Sequence, residues 1–91
     1  MGEVSRLPDA DDGEAALRTA GLSPSPWSAG PGAVFSPHSH EWTKHLYVVR
    51  GTIDFDGTEL AASQGIRIPA GTIHGAVAGP AGVSCVEAFE D

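Results

Sequence analysis

The sequence predicts an all-β fold, a small antiparallel β-barrel preceded by one short helix. From Ala33 onward, short apolar segments alternate with Gly, Pro, Asp and Ser residues that are typical of turns. Asp56-Gly57 lies between two of these segments, and this dipeptide is the strongest short signal for a β-hairpin. No apolar pattern with the helical period of about 3.6 residues interrupts them. A barrel is favoured because closure removes exposed strand edges.

Short strands are predicted throughout this region, at residues 34–35, 46–49, 52–55, 58–60, 66–68, 72–77 and 83–89. Earlier in the chain, Pro and Gly residues flank Trp27 on both sides, so any strand around Trp27 is short. We expect the Trp27 indole to pack on the barrel exterior or at a subunit contact.

The chain is predicted to divide at residue 22, into an N-terminal arm with a short helix (1–22) and a barrel domain (23–91). The first ten residues are polar and carry Pro8, so we expect a loosely attached arm. Asp12 is a candidate N-cap for the helix, and Gly21 is a typical C-terminal stop.

Length and charge restrict the classes of partner. A chain of 91 residues forms one domain with a small core, so we expect it to pair with a second copy as a homodimer. The formal charge of −7 argues against nucleic acid or an anionic membrane, and favours a small-molecule ligand or substrate. The lone Cys85 cannot form an intrachain disulfide and is expected to be buried. With no signal-peptide or spanning pattern, a cytoplasmic protein is expected.

Histidines are concentrated in one stretch of the sequence. His38 and His40 are two residues apart, so on a strand both rings leave the same face with Cα atoms about 6.6 Å apart. His74 follows a Pro/Gly turn and could supply a third nitrogen from across a barrel. Neutral imidazole is a good ligand for zinc, iron and copper. The pattern therefore predicts a transition-metal site.

These residues resemble the two sequence motifs of the cupin superfamily. The first motif is matched by Gly32, His38, His40 and Gly51, and the second by Pro69, Gly71 and His74. The second motif is imperfect, since Ser63 and Ala78 stand where it has Gly and Asn. The resemblance covers residues 32–78. It implies a jelly-roll barrel that holds a divalent transition metal such as iron, manganese, zinc or copper.

The main departure from the cupin pattern is Lys44, which stands where the first motif has a glutamate ligand. Lys44 could point into the cavity and disfavour a cation. It could instead lean outward and leave a three-histidine site, as in thiol-oxidising cupins. A bulge could also turn His45 inward as a fourth nitrogen. Strand alternation puts Lys44 on one face and His45 on the other, and leaves the choice open.

Two functions are consistent with these residues. The predicted metal ligands are His38, His40 and His74, with His45 as a further candidate. The resemblance implies an oxygenase-like enzyme acting on a small anionic or carbonyl-bearing molecule. The alternative is a non-catalytic module, either a small-molecule binder or a cupin stabilised structurally by its metal. No general base or nucleophile accompanies the histidines in the sequence, so the catalytic residues and the status as an enzyme stay open.

Overall fold

Strands dominate the chain, as the sequence predicts. The structure is a computed structural model that describes residues 3–90. The elements in chain order are β1 (Ser5–Leu7), α1 (Gly13–Thr19), β2 (Ser25–Ala29), β3 (Val34–His38), β4 (Thr43–Phe55), β5 (Thr58–Ala61), β6 (Gly65–Ile68) and β7 (His74–Glu90). Residues 1, 2 and 91 lie outside the described residues, so the outer ends of the two predicted segments are not described. The predicted division of the chain at residue 22 stays a prediction.

The strands form one antiparallel sheet that folds around an apolar interior. The order is β1-β6-β4-β7-β2, with β3 also paired to β7 and β5 also paired to β4. The two long strands β4 and β7 pair with each other and with most of the remaining strands. The predicted all-β fold with a short helix is confirmed, and the hydrogen-bonded path is open, with β1 and β2 at its ends.

Strands β4 and β7 are longer than the sequence predicts, because each joins two predicted segments. The β4–β7 pairing shifts register between Val48 and Arg50 and again between Gly51 and Ile53. Gly51 has a φ of +82°, and a Cβ atom there would clash with the carbonyl oxygen of Gly82. The glycine therefore lets the strand bend while it stays paired, where the sequence suggested a turn.

The predicted hairpin at Asp56-Gly57 is confirmed. Phe55 pairs with Thr58, and the two residues between them have φ angles of 49° and 96°. Positive φ at both central positions is the conformation of a type I′ turn, which Asp-Gly favours.

The helix also forms where predicted. The Asp12 side chain accepts a hydrogen bond of 3.0 Å from Ala15 N, and the chain turns at Gly21 with a φ of +85°. Leu17 is buried in a small cluster with Tyr47, Val86 and Ala88, on the outer face of β4 and β7.

The N-terminal residues are attached to the sheet, contrary to the expectation of a loose arm. Residues 5–7 pair with β6. The Tyr47 hydroxyl donates a hydrogen bond of 2.8 Å to the Pro8 carbonyl oxygen. The expectation failed because it considered the polarity of the segment and not the free edge of β6, which offers unpaired backbone groups.

The interior of the folded sheet is the main core, and it determines which side chains of β4 point inward. The buried cluster comprises Leu46, Val48, Ile53, Phe55, Leu60, Ile66, Ile68, Ala76, Ala78, Val83 and Cys85. Since side chains alternate along a strand, Lys44 shares the inner face with Leu46 and Val48, whereas His45 shares the outer face with Tyr47. Within residues 3–90, the short helix α1 falls well below the length needed to cross a bilayer.

Candidate metal centre

Three histidines converge at one end of the sheet interior. His38 is the last residue of β3 and pairs directly with His74, the first residue of β7. His40 lies just beyond β3, where its carbonyl oxygen accepts a 2.9 Å hydrogen bond from Gly71 N in the turn that precedes His74. The ring centroids are separated by 4.8 Å for His38 and His40, 4.5 Å for His38 and His74, and 5.3 Å for His40 and His74.

Backbone hydrogen bonds determine which ring nitrogen is free in two of these histidines. Nδ1 of His38 lies 2.7 Å from the Ser36 carbonyl oxygen, and Nδ1 of His74 lies 3.0 Å from that of Thr72. A carbonyl oxygen only accepts, so each Nδ1 carries the proton in the neutral ring. The lone pair is therefore on Nε2 in both rings, as in a histidine prepared to bind a metal.

Two of the ring nitrogens that could bind a metal are buried from water. Nε2 of His40 and Nε2 of His74 are buried, and neither has a hydrogen-bond partner among the described residues. Burial lowers the pKa of His40 and of His74, which favours the neutral rings; for His74 the hydrogen bond to Thr72 opposes the effect in part. Unpaired buried nitrogens cost free energy, and a metal ion would satisfy them.

The donor set fits a divalent transition metal. One ligand nitrogen from each of His38, His40 and His74 lies within 4.8 Å of the others. Zinc–nitrogen bonds of about 2.0–2.1 Å require ligand nitrogens no more than about 4.2 Å apart, so the rings would have to move closer together to hold one ion. Three neutral imidazoles leave coordination positions open for a further ligand.

His45 is not part of this cluster, so the geometry does not support it as a fourth ligand. Its Nε2 lies 3.3 Å from Oε2 of Glu90 on the outer face of the sheet. The reason is strand alternation: the β4–β7 register shifts occur beyond Val48, and β4 has regular pairing around His45.

Lys44 points inward and is only 8% exposed. Its Nζ atom lies 2.9 Å from Oε1 of Glu87, a residue of β7. The same Oε1 accepts a 2.8 Å hydrogen bond from Nε1 of Trp27. The ammonium is near enough to His40 and His74 to contribute to their lowered pKa values, but Glu87 balances its charge. Lys44 therefore occupies the interior without leaving an unpaired positive charge beside the histidines.

Trp27 lies at the cavity and not on the exterior, which corrects the sequence prediction. Its ring packs edge-on against Phe35 at a centroid distance of 5.6 Å, and Lys44 Nζ is 5.8 Å from the ring. Strand β2 is short, as predicted, but it pairs with β7 in a register that places Trp27 opposite Cys85. The indole thus faces inward to reach Glu87.

A cavity of about 440 Å³ joins these groups. The wall of the cavity is mainly apolar, and its polar side chains include two of the histidines and the Lys44–Glu87 ion pair. It is lined by Ser25, Pro26, Trp27, Ser28, Phe35, His38, Lys44, Ile53, Phe55, His74, Ala76 and Glu87. The interior is therefore not filled with hydrocarbon, and a small molecule has room beside the histidines.

Asp56 supports the position of His74 from the hairpin. Its Oδ2 atom accepts a 3.0 Å hydrogen bond from Gly75 N, the residue that follows His74. The carboxylate also acts to raise the pKa of His74, against the larger lowering effect of burial. Asp56 is thus a neighbour that holds the strand on which the histidine sits.

Comparison with solved structures identifies the fold. An RmlC-like cupin from Shewanella frigidimarina matches with a TM-score of 0.64 and 29% sequence identity over 75% of the chain and 64% of that protein. The chain has the cupin fold. The polyketide cyclase RemF from Streptomyces resistomycificus matches with a TM-score of 0.65 and 28% identity, over 75% of the chain and 54% of the cyclase.

A further match comes from Klebsiella pneumoniae, an uncharacterised protein with a double-stranded β-helix domain, with a TM-score of 0.64 and 23% identity over 93% of the chain and 72% of that protein. The chain spans less than two thirds of the length of the Shewanella protein and of RemF. No protein-family model and no curated protein matches its sequence.

Sequence reasoning missed Glu87, the carboxylate that lines the cavity. A signal was present, because alternation along the last strand places Glu87 on the same face as the apolar Val83 and Cys85. A charged residue on the inner face of a strand requires a partner, and the inward Lys44 supplies it. The contact with Trp27 carried no comparable signal, since it spans 60 residues of sequence.

Proposed function

We propose that this cupin holds a divalent transition metal through Nε2 of His38, Nε2 of His74 and a ring nitrogen of His40, and binds a small molecule beside it. The observation that carries the proposal is the pair of buried, unpartnered Nε2 atoms on His40 and His74. Native proteins rarely leave such atoms without a partner. Iron, manganese, zinc and copper are the candidates, since imidazole suits each of these ions. When bound, the ion would supply a Lewis acid at the end of the cavity.

The cavity supports small-molecule binding as part of this function. Its volume of about 440 Å³ is within the range of about 300–1,000 Å³ that is typical of ligand pockets. RemF, which shares the fold, is a polyketide cyclase. The protein's own groups in the cavity would orient a ligand: Glu87 accepts hydrogen bonds, Lys44 donates them, and the aromatic wall packs against apolar parts.

Catalysis at this centre, oxygenase-like or otherwise, is part of the proposal and has its own measurement. Oxygen uptake by iron-loaded protein with diketones, phenols or thiols should exceed that of a variant that lacks the histidines. Turnover equal to the variant's would favour the non-catalytic alternative.

The homodimer expected from the sequence stays a prediction. Light scattering on purified protein would measure its mass in solution and so test it.

Metal analysis tests the site itself. Protein purified without added metal should contain close to one equivalent of a transition metal, and a His38→Ala/His74→Ala double variant should contain almost none. His45→Ala is the matched control, because His45 lies on the outer face and should leave the metal content unchanged. Equal metal content in the double variant and the wild type would overturn the assignment.

A further inference from the structure

Glu87 has an acceptor atom that the protein does not use. Oε1 takes both contacts of this carboxylate, from Trp27 Nε1 at 2.8 Å and from Lys44 Nζ at 2.9 Å. Among residues 3–90, no hydrogen bond reaches Oε2. The Glu87 side chain is 22% exposed and lines the cavity. An ionised carboxylate accepts up to about four hydrogen bonds, which leaves capacity for a ligand.

The rest of the cavity wall suits an apolar ring. Trp27 and Phe35 form an edge-on aromatic pair in this wall, and β4 contributes Ile53 and Phe55. An aromatic ligand would extend these contacts, since aromatic rings prefer edge-on or offset packing at centroid distances of about 4.5–7 Å.

The charges at this end of the cavity favour a neutral ligand over an anion. Lys44 is already neutralised by Glu87, so a ligand carboxylate here would lie beside the like charge of Glu87 with no free counter-charge. Displacing Glu87 from Lys44 to avoid that repulsion would leave a charge largely buried without its partner, which is strongly unfavourable. A neutral hydroxyl needs no such rearrangement, because it donates to the free Oε2 while the ion pair stays intact.

We propose that the cavity binds a neutral aromatic or enolic molecule whose hydroxyl group donates a hydrogen bond to Oε2 of Glu87 and whose ring packs against Trp27 and Phe55. This ligand class concerns the same cavity as the proposed function. It rests on the proposed function only for a ligand that also contacts the metal. A phenol or enol placed in this way extends toward His38 and His74, which line the same cavity.

Metal-free protein and a matched pair of ligands test this proposal. 2-Naphthol and 2-methoxynaphthalene have the same ring system, but only the first can donate a hydrogen bond. The reporter is the indole N–H resonance of Trp27 in nuclear magnetic resonance titrations of EDTA-treated protein, assigned with Trp42→Phe. Wild-type protein should bind 2-naphthol about tenfold or more tightly than the methyl ether, the effect of one hydrogen bond to a charged acceptor.

Two variants locate the effect. Glu87→Gln should reduce the preference for 2-naphthol to at most about threefold, because the charge-assisted hydrogen bond is lost. Glu90→Gln is the control, since Glu90 contacts His45 and Arg67 outside the cavity and should keep the full preference.

The wild-type comparison decides the outcome even where Glu87→Gln fails to fold. Equal affinities for the two ligands, or a Trp27 resonance that moves with neither, would overturn the proposal. Because the protein is metal-free, such a failure leaves the metal-content experiment untouched. Conversely, if the metal analysis failed, a measured preference for 2-naphthol would still be evidence that the ligand binds at Glu87.

Discussion

Lys44 and Glu87, on the neighbouring strands β4 and β7, form an ion pair inside the folded sheet, with Nζ 2.9 Å from Oε1. Lys44 is 43 residues from Glu87 in the sequence, so neither residue reveals the other locally. The pair explains how a lysine can stand at a position where the cupin motif has a metal-binding carboxylate. The charge of Lys44 is neutralised by a carboxylate from the neighbouring strand, and the histidines are left as a neutral donor set.

The first prediction concerns the energetics of this ion pair. Removing one partner leaves the other largely buried and unpaired, so Glu87→Gln and Lys44→Met should each lower the free energy of unfolding, by about 2–3 kcal/mol. The double variant should recover much of this loss, with a coupling free energy of about 1–3 kcal/mol in a double-mutant cycle. Urea denaturation measures each value. If the two losses in the free energy of unfolding simply added, the interaction between Lys44 and Glu87 would contribute nothing to stability.

The second prediction concerns Asp56 as a support for the metal centre. Asp56→Ala removes the acceptor for Gly75 N, so His74 loses part of its fixed position and zinc affinity should fall by about tenfold to one hundredfold. Asp56→Asn keeps an acceptor oxygen and tolerates the positive φ, so its affinity should be much closer to wild type. Calorimetric zinc titration of the two variants checks this. If Asp56→Ala bound zinc as tightly as the wild type, the pairing of the strand alone would be enough to position His74.

The third prediction compares two glycines with positive φ. Gly57→Ala meets no atom within 4 Å and should cost only the backbone strain, about 1–2 kcal/mol. Gly51→Ala adds a clash, because its Cβ atom would overlap the carbonyl oxygen of Gly82. We therefore expect Gly51→Ala to be the more destabilising by several kcal/mol, or to prevent folding. Thermal unfolding of both variants measures the difference, and similar melting temperatures would contradict it.

The fourth prediction concerns alkaline pH. Burial raises the pKa of the Cys85 thiol to about 12, whereas an unfolded cysteine titrates near about 8.5. The unfolded state therefore loses its proton first. The thiol's contribution to stability is complete below about pH 8.5 and is lost as the pH rises toward about 12.

A Cys85→Ala variant checks the alkaline effect. The wild type should lose more of its free energy of unfolding than the variant between pH 8 and pH 11. Tyr47, whose pKa burial also raises, is present in both proteins and so cancels in the comparison. Parallel stability curves for the two proteins across this range would be the contrary result.

The fifth prediction concerns the N-terminal strand. Tyr47→Phe removes the hydrogen bond to the Pro8 carbonyl oxygen and should cost about 1 kcal/mol. Amide hydrogen exchange in β1 should become faster, because the anchor beside it is lost. Unchanged exchange in residues 5–7 would show that pairing with β6 holds the strand by itself.

Local signals in the sequence predicted most of the fold. The Asp56-Gly57 hairpin and the cap at Asp12 depend on short-range backbone preferences, and both formed as expected. The continuity of β4 and β7 was missed, because Gly51 and the glycines near 79–82 are as typical of bends within a strand as of turns between strands.

The candidate site was predicted in part, for a similar reason. The spacing of His38, His40 and His74 indicated one site, and the structure brings these three rings together. The choice between Lys44 and His45 depended on the face that β4 turns inward, which alternation alone could not specify. The inward direction of Trp27 depended on its pairing with β7, a contact between distant segments.

The side chains of Lys44 and Glu87 could be exchanged between their strands. A Lys44→Glu/Glu87→Lys protein would keep one acid and one base across the same gap, so the interior would stay neutral. It would also bring a carboxylate to the position that, by the motif resemblance, completes a three-histidine, one-carboxylate ligand set. The transposition thus offers a route to redesigning metal preference by moving a charge between two strands, without adding one.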